Sequence, residues 1–313
     1  MTVSFVIAVA VLIGLWLFLF QQVRRSGRRV SPWQKRVRVT LAAVVVLLAS
    51  LVFWGFYVEP NRLVVRHETI QIDQWPRELN DLRIAVLSDI HAGGAFIDER
   101  KLRTIVERTN QLQPEMIVIL GDYISGDGRR HELLMEPDVI AGVLKDFRAP
   151  LGVYSVLGNH DWWYNGRIVR EALERNGIKV LENETLKVEA RGVSLWLAGL
   201  ADLWTRPQRV AETVGQVPEN TTVIALTHNP DIFPGVPSRV QLLIAGHTHG
   251  AQVHLPFIGY VVQPSNRYGE RYARGHVYEN GHHLFVTTGI GTSIVPVRFG
   301  VTPEIVLLTV KSP

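Results

Sequence analysis

Hydrophobic and polar residues follow two different patterns along this chain. Two early stretches, residues 3–20 and 41–58, are apolar and contain no charged side chain. Beyond residue 82, short apolar runs are separated by longer segments in which apolar residues recur at helical spacing. The short runs predict buried strands and the longer segments predict amphipathic helices, an alternation that indicates an α/β layer fold.

Strands and helices are predicted to alternate in the first half of the chain. The predicted strands there are Arg83–Ser88, Met116–Leu120 and Val153–Leu157, and the predicted helices are Asp98–Gln111, Glu132–Phe147 and Arg167–Asn176. Strands dominate the second half, at Val180–Val188, Ser194–Ala198, Val223–Thr227, Leu242–Ala245, Leu284–Thr288 and Ile305–Val310. Residues 266–281 are polar and contain glycine, so we predict loops there. We expect two packed sheets with helices outside them.

Each uncharged stretch is long enough to cross a lipid bilayer. At about 1.5 Å per helical residue, such a stretch spans most of a ~30 Å hydrocarbon core. We therefore predict a transmembrane hairpin over residues 1–58, with spans at about 3–20 and 41–58, followed by one domain over residues 59–313. The alternative is a signal peptide followed by a buried core helix, but residues 1–20 lack the charged start of a signal peptide.

Positive charge is concentrated between the two predicted spans. Residues 24–38 carry seven cations and no acid, whereas the rest of the chain has 26 cationic and 29 anionic side chains. A basic loop is retained on the cytoplasmic side, which predicts a multi-pass protein of the inner or plasma membrane with its domain outside. The paired arginines in this loop allow an alternative interpretation, in which they form part of a twin-arginine export signal. The mildly acidic remainder has no basic stripe for nucleic acid, so we expect no nucleic-acid partner. The two predicted spans make membrane lipid a partner, and no oligomeric state is indicated.

Potential metal ligands follow five of the predicted strands. They are Asp89, His91, Asp122, Asn159, His160, His228, His247 and His249. Ligand sites form at the carboxyl ends of strands in α/β sheets, so we expect these side chains to meet. The chain has no cysteine, and oxygen and imidazole donors without sulfur suit Mn²⁺, Fe, Zn²⁺ or Co²⁺. Because these donors outnumber the ligands of one ion, we expect two divalent metal ions that share a carboxylate.

These motifs resemble the full set of the calcineurin-like metallophosphoesterases. The set is Asp89-x-His91, Gly121-Asp122, Gly158-Asn159-His160-Asp161, His228 and Gly246-His247-x-His249. The resemblance covers about residues 83–250 and implies a four-layer α-β-β-α sandwich with two mixed β-sheets. It implies one metal on Asp89, His91, Asp122 and His249, and another on Asp122, Asn159, His228 and His247. It also implies that His160 contacts the phosphate and assists the leaving group, and that Asp161 orients His160.

Within this family, the apolar N-terminus and Glu59-Pro60-Asn61 resemble the membrane-anchored YaeI/YkuE-like phosphodiesterase branch, although Gly250-Ala251-Gln252 replaces the commoner Gly-Gly-Gln. The resemblance implies a phosphodiesterase or pyrophosphatase that hydrolyses a phosphodiester or lipid-linked phosphate with metal-activated water. A phosphomonoesterase or nucleotide hydrolase is the alternative, as is a UDP-2,3-diacylglucosamine pyrophosphatase if the domain is cytoplasmic. A non-catalytic metal-binding membrane protein is a further alternative from another class.

Four residues are candidates for contacts with the substrate. Trp162 and Trp163 directly follow the Asn159-His160-Asp161 motif and could form an apolar wall beside the metals, or else pack in the core. Arg206 and Arg267 could bind a second phosphate, because a guanidinium matches phosphate oxygens in pairs.

Overall fold

The computed structural model describes Gly14, Gln21, residues 31–126 and 134–263, Ser265 and residues 267–313. The first predicted membrane span, residues 3–20, therefore lies outside the described residues apart from Gly14. Residues 24–30 of the predicted basic loop lie outside them as well. The first two residues of the predicted helix Glu132–Phe147 also lie outside the described residues.

Helix α1 (Pro32–Phe53) begins at Ser31, whose hydroxyl accepts the N–H of Gln34. It continues through a π-helical turn and a last short turn, so that the whole helix covers 30 residues and ends at Asn61. In the described part of the chain this is the one helix long and apolar enough to cross a bilayer. It begins earlier than the predicted span, so the cations at positions 35, 36 and 38 lie on its first turns instead of in a loop.

Two six-stranded mixed sheets form the rest of the frame. The first has the spatial order β1 (Val64–Gln71), β14 (Glu304–Lys311), β2 (Leu82–Leu87), β3 (Met116–Ile119), β4 (Val153–Ser155) and β5 (Lys179–Val180). Only its β14–β2 pair is antiparallel. The second has the order β12 (Gly275–Glu279), β13 (His282–Val286), β9 (Leu242–Ala245), β8 (Thr222–Leu226), β7 (Val193–Gly199) and β6 (Glu184–Ala190). Its two outermost pairs are antiparallel and its inner pairs are parallel.

Helices cover the outer faces of both sheets. The first sheet is covered by α2 (Glu99–Gln111), α3 (Pro137–Leu144) and α5 (Gly166–Arg175), and the short helix α4 (Asn159–Tyr164) follows β4. The second sheet is covered by α6 (Val210–Gly215) and the 3₁₀ turn Pro230–Gly235. A hairpin of β10 (His254–Leu255) and β11 (Gly259–Tyr260) lies outside both sheets.

Alternation along β2 shows how the layers pack. Ile84 and Val86 face the second sheet, whereas Ala85 and Leu87 face the helices, as expected for side chains that point to opposite faces in turn. Three apolar clusters result: one under the helices of the first sheet, one between the sheets and one outside the second sheet. The predicted two mixed sheets with helices outside are therefore confirmed.

Three predicted elements differ from the structure. The predicted strand Val180–Val188 is two strands in different sheets, because Asn183 at φ 54° turns the chain between β5 and β6. The predicted loop over residues 266–281 contains edge strand β12, in which His276 and Tyr278 are exposed. Helix α3 starts only at Pro137, a residue suited to the first turn of a helix, and it is shorter than predicted.

Candidate metal centre

The candidate ligands lie at neighbouring strand ends because main-chain hydrogen bonds continue past β2 and β3. The N–H of Asp89 donates to Gly121 O at 3.0 Å, and the N–H of His91 donates to Asp122 O at 2.9 Å. After the strands end, five candidate ligands have a positive φ, so the backbone turns at each of them. They are Asp89, His91, Asp122, His247 and His249. This left-handed conformation is costly for residues other than glycine and is concentrated at functional sites.

The ligand atoms form two groups that share Asp122. In the first group, Nε2 of His249 lies 3.1 Å from Nε2 of His91 and 3.3 Å from Oδ1 of Asp89. Nε2 of His91 lies 3.6 Å from Oδ2 of Asp122. In the second group, Nε2 of His228 lies 3.3 Å from the same Asp122 oxygen, 3.1 Å from Asn159 Oδ1 and 3.0 Å from His247 Nδ1.

The tautomers of two histidines fit a cation at the centre of these groups. Nδ1 of His91 lies 3.2 Å from Ile124 O, and Nδ1 of His228 lies 2.7 Å from Leu120 O. An Nδ1–H that donates to a carbonyl leaves the Nε2 lone pair facing the centre, the usual arrangement of a metal-binding histidine. Facing lone pairs repel one another unless a cation lies between them. The groupings of histidine and aspartate therefore fit divalent metal ions.

Burial keeps two of the imidazoles neutral. It lowers the pKa of His91 and of His247 to about 3, so both rings are in the form that binds a metal at neutral pH. For His228, burial acts against the charged form, but the Asp122 carboxylate outweighs it and raises the pKa to about 10. A proton and a metal ion therefore compete for Nε2 of His228.

Two glycines allow the close approach that this centre needs. A Cβ on Gly158 would lie 2.2 Å from Oδ1 of Asp122, and a Cβ on Gly246 would lie 1.9 Å from Oγ of Ser88. Any side chain at either position would displace the loops that carry the ligand atoms.

His160 lies beside Asp122 at the edge of the centre. Its N–H donates to Oδ1 of Asp122 at 2.9 Å, and its ring Nε2 lies 4.0 Å from Oδ2 of the same carboxylate. On the other side, Nε2 lies 3.2 Å from Oγ of Ser293, and Nδ1 contacts the carbonyl of Gly126. The ring also packs against Trp163, with centroids 4.7 Å apart.

The Asp161 carboxylate is hydrogen-bonded to the main chain, and no hydrogen bond joins it to the His160 ring among the described residues, so the orienting role implied by the resemblance stays a prediction. This carboxylate is fully buried and accepts four main-chain N–H groups, those of Asp122, Tyr123, Ile124 and Gly158, at 2.9–3.2 Å. The physical reason is that the turn after β3 presents successive N–H groups with no strand partner. Asp161 thus shapes the turn that carries Asp122.

Of the four predicted substrate-binding residues, Trp163 lies beside the centre, whereas Trp162, Arg206 and Arg267 contact other parts of the protein. Trp163 is partly exposed beside His160. Trp162 instead donates its Nε1–H to Glu182 and stacks under the guanidinium of Arg206, which lies 4.2 Å from the ring, so both have structural partners. Arg267 lies over Tyr268 and donates its N–H to Ser265. Trp204, 4.3 Å from the His247 ring, forms a second aromatic edge of the centre.

Arg298, which belongs to none of the sequence motifs, lies directly behind the first ligand group. This side chain is fully buried, and its guanidinium donates to the carbonyls of Gly291, Thr288 and Val301 at 2.6–3.3 Å. Its Nη2 lies 3.4 Å from Nδ1 of His249. The signal available in the sequence is a single arginine within the apolar run Ile294–Phe299.

Comparison with known proteins identifies the class. The family model described as calcineurin-like phosphoesterase matches residues 82–251. The chain is 31% identical over 261 residues to the uncharacterized metallophosphoesterase YkuE of Bacillus subtilis (strain 168), covering 82% of this chain and 88% of YkuE. The chain therefore belongs to the calcineurin-like phosphoesterase family, which confirms the family prediction and implies a hydrolase of phosphoesters.

Two further relatives extend the comparison. Phosphodiesterase YaeI of Escherichia coli (strain K12) is 24% identical over 278 residues, covering 86% of this chain and 96% of YaeI. A Danio rerio protein named transmembrane protein with metallophosphoesterase domain is 27% identical over 336 residues. That match covers 97% of this chain and 72% of the relative, so it includes the apolar N-terminal region.

Proposed function

We propose that this protein is a membrane-anchored phosphodiesterase that hydrolyses a phosphodiester or a lipid-linked phosphate. One observation carries the proposal: Oδ2 of Asp122 lies 3.6 Å from Nε2 of His91 and 3.3 Å from Nε2 of His228, and the His160 ring lies beside that shared carboxylate. In the proposed assignment Asp89, His91, Asp122 and His249 hold one divalent ion. Asp122, Asn159, His228 and His247 hold the other.

The residues around the shared carboxylate have distinct tasks in this proposal. Two divalent ions, when bound, lower the pKa of a water and stabilise charge on phosphate oxygens. His160, whose Nε2 faces outward to Ser293, contacts the phosphate and donates a proton to the leaving oxygen. Asp161 holds the turn that carries Asp122, so the Asp122 carboxylate keeps its position while negative charge develops on the phosphate.

The surroundings of the centre favour a diester over a monoester. Trp163 and Trp204 border the two ligand groups with large apolar faces, and such faces suit a second esterifying group better than a bare phosphate. YaeI, a relative over most of its length, is named a phosphodiesterase. We propose that the domain lies on the extracytoplasmic side of the membrane. The basic residues, which are retained in the cytoplasm, precede or begin α1, and the domain follows its other end.

The test is hydrolysis of bis-p-nitrophenyl phosphate and p-nitrophenyl phosphate by the full chain in detergent, with Mn²⁺ or with EDTA. We expect the diester to be cleaved faster, EDTA to abolish cleavage, and Asp122→Asn to lower it about 10²-fold or more. Asp73→Asn, an exposed aspartate away from the centre, is the matched control and should keep full activity.

Four results would contradict parts of the proposal. Faster cleavage of the monoester would favour the phosphomonoesterase alternative. Cleavage that persists in EDTA, or in Asp122→Asn with full metal content, would contradict the metal assignment. No cleavage of either ester by a metal-loaded chain would favour the non-catalytic alternative.

A further inference from the structure

Exposed apolar side chains cluster on two loops close to the metal centre. Phe257 and Ile258 form the tip of the β10–β11 hairpin, and Val261 and Val262 follow it. Ile294 and Val295 lie on the loop that contains Ser293. We call these six residues the apolar rim: Phe257, Ile258, Val261, Val262, Ile294 and Val295. Phe257 and Ile294 are almost completely exposed, at 108% and 98% of their reference areas.

The exposure of the rim is built into the backbone. Phe257 has φ 67° and Ile294 has φ 63°, an unusual conformation for a bulky residue and a strained one for a β-branched residue. The Gln252 side chain fixes the second loop: its Nε2 donates to Ser293 O and Val295 O at 3.2 and 3.1 Å, and its Oε1 accepts the Ser293 N–H at 2.7 Å. Ile294 is therefore held outward between two anchored residues.

The rim is continuous with the end of the apolar helix α1. Main-chain hydrogen bonds join the two loops, from Phe299 N to Gln252 O and from His254 N to Phe299 O, both 2.8 Å. The Arg298 N–H then donates to the carbonyl of Gly55 on the helix at 2.9 Å. Because the end of α1 is hydrogen-bonded to the second of these loops, a bilayer crossed by α1 would lie close to both loops.

We propose that the apolar rim inserts into the interfacial layer of the same bilayer that α1 crosses. This inference rests on the proposed membrane anchoring. Transfer of exposed large apolar side chains from water into an apolar layer is favourable, so burial of these six side chains would stabilise the inserted state. Arg274, stacked over Tyr260 of the hairpin, and Arg62, stacked over Trp54 near the end of α1, add positive charge suited to lipid phosphates.

Insertion of the rim would also bring the bilayer close to His160. Ser293, whose hydroxyl lies 3.2 Å from Nε2 of His160, is the direct neighbour of Ile294. The same short loop thus contacts the catalytic histidine at one residue and the bilayer at the next. Since the proposed function has His160 contact the phosphate, an inserted rim would hold that contact next to the membrane surface.

The absence of cysteine allows a direct test with the full chain. Phe257→Cys and Ile294→Cys are each labelled with a nitrobenzoxadiazole fluorophore and reconstituted into phosphatidylcholine–phosphatidylglycerol vesicles. Tyr278→Cys is the matched control, because Tyr278 is an exposed aromatic residue paired with His283, beside the start of β9. His247 and His249 follow the opposite end of β9, so the control label lies away from the rim.

We expect lipids with a nitroxide near the headgroup to quench the labels at positions 257 and 294 several-fold more than the label at position 278. Equal quenching at all three positions in a chain that floats with the vesicles would overturn the rim proposal alone. A chain that does not float with the vesicles would contradict the membrane anchoring as well. In the unlabelled Phe257→Cys variant, a disulfide between two chains without lipid quenching of the labelled one would show that a second copy covers the rim. None of these readouts depends on hydrolysis.

Discussion

At the scale of single residues, the buried guanidinium of Arg298 fixes the loop behind His249. Burial lowers the pKa of Arg298 to about 10, so the side chain remains charged at neutral pH. Its planar fork reaches the carbonyls of Thr288, Gly291 and Val301 at once. The single ammonium of a lysine cannot repeat that geometry, although it would keep the charge.

We expect Arg298→Lys to lower the free energy of unfolding by about 2–4 kcal/mol, because buried carbonyls lose their donors. For a domain of this size the melting temperature should fall by about 5–15 °C. The displaced His249 should also lower the Mn²⁺ content of the purified chain. Differential scanning fluorimetry and elemental analysis of the full chain in detergent measure both effects.

Arg274→Lys is the matched control, because Arg274 makes one hydrogen bond, to Gly300 O, from a less buried position. Its melting temperature should stay within about 2 °C of the unmodified chain. Equal melting temperatures and equal metal contents for the two variants would show that Arg298 has no special part in positioning His249.

At the scale of elements, the end of α1 is joined to the domain by the buried carboxylate of Glu59. It accepts the indole N–H of Trp54 at 2.9 Å, the N–H of Gly300 at 2.9 Å and the hydroxyl of Thr302 at 3.1 Å. Glu59→Ala removes the acceptor and leaves buried donors without a partner, which should cost about 2–4 kcal/mol.

We expect Glu59→Ala to lower the melting temperature of the full chain and to speed proteolysis between α1 and β1. Glu107→Ala, at an exposed position on α2, serves as the control and should behave as the unmodified chain does. If both glutamate variants melt and cleave alike, the hydrogen bonds of Glu59 do not hold the helix on the domain.

An element can be predicted from the sequence when its own residues determine it, and not when contacts with distant residues do. Strands β2, β3, β8 and β9 are buried on both faces, so each reads as a continuous apolar run followed by its polar motif. The chain turns at Asn183, but the sheet that each part of residues 180–188 joins depends on pairing with distant strands, which no local pattern contains. Arg298 shows the same limit, because its partners depend on how the loop after residue 288 folds onto His249.

At the scale of the whole molecule, the charge distribution predicts which side of the membrane the domain occupies. The seven cations of residues 24–38 lie before or within the first turns of α1, whereas the domain follows its other end. If the basic end is retained in the cytoplasm, the metal centre lies outside. A nucleotide-linked lipid made in the cytoplasm could not then reach it, whereas a lipid of the outer-facing leaflet could.

We therefore expect alkaline phosphatase fused after Pro313 to be active in Escherichia coli, and green fluorescent protein fused at the same place to be dark. Alkaline phosphatase folds only after export, and green fluorescent protein exported in unfolded form does not fluoresce, so the two reporters are complementary. In the control the seven cations are changed to glutamine, which removes the charge difference across α1 and should give a mixed orientation. A fluorescent fusion with inactive phosphatase would place the domain in the cytoplasm. That result would reopen the pyrophosphatase alternative, and the apolar rim would then face the inner leaflet.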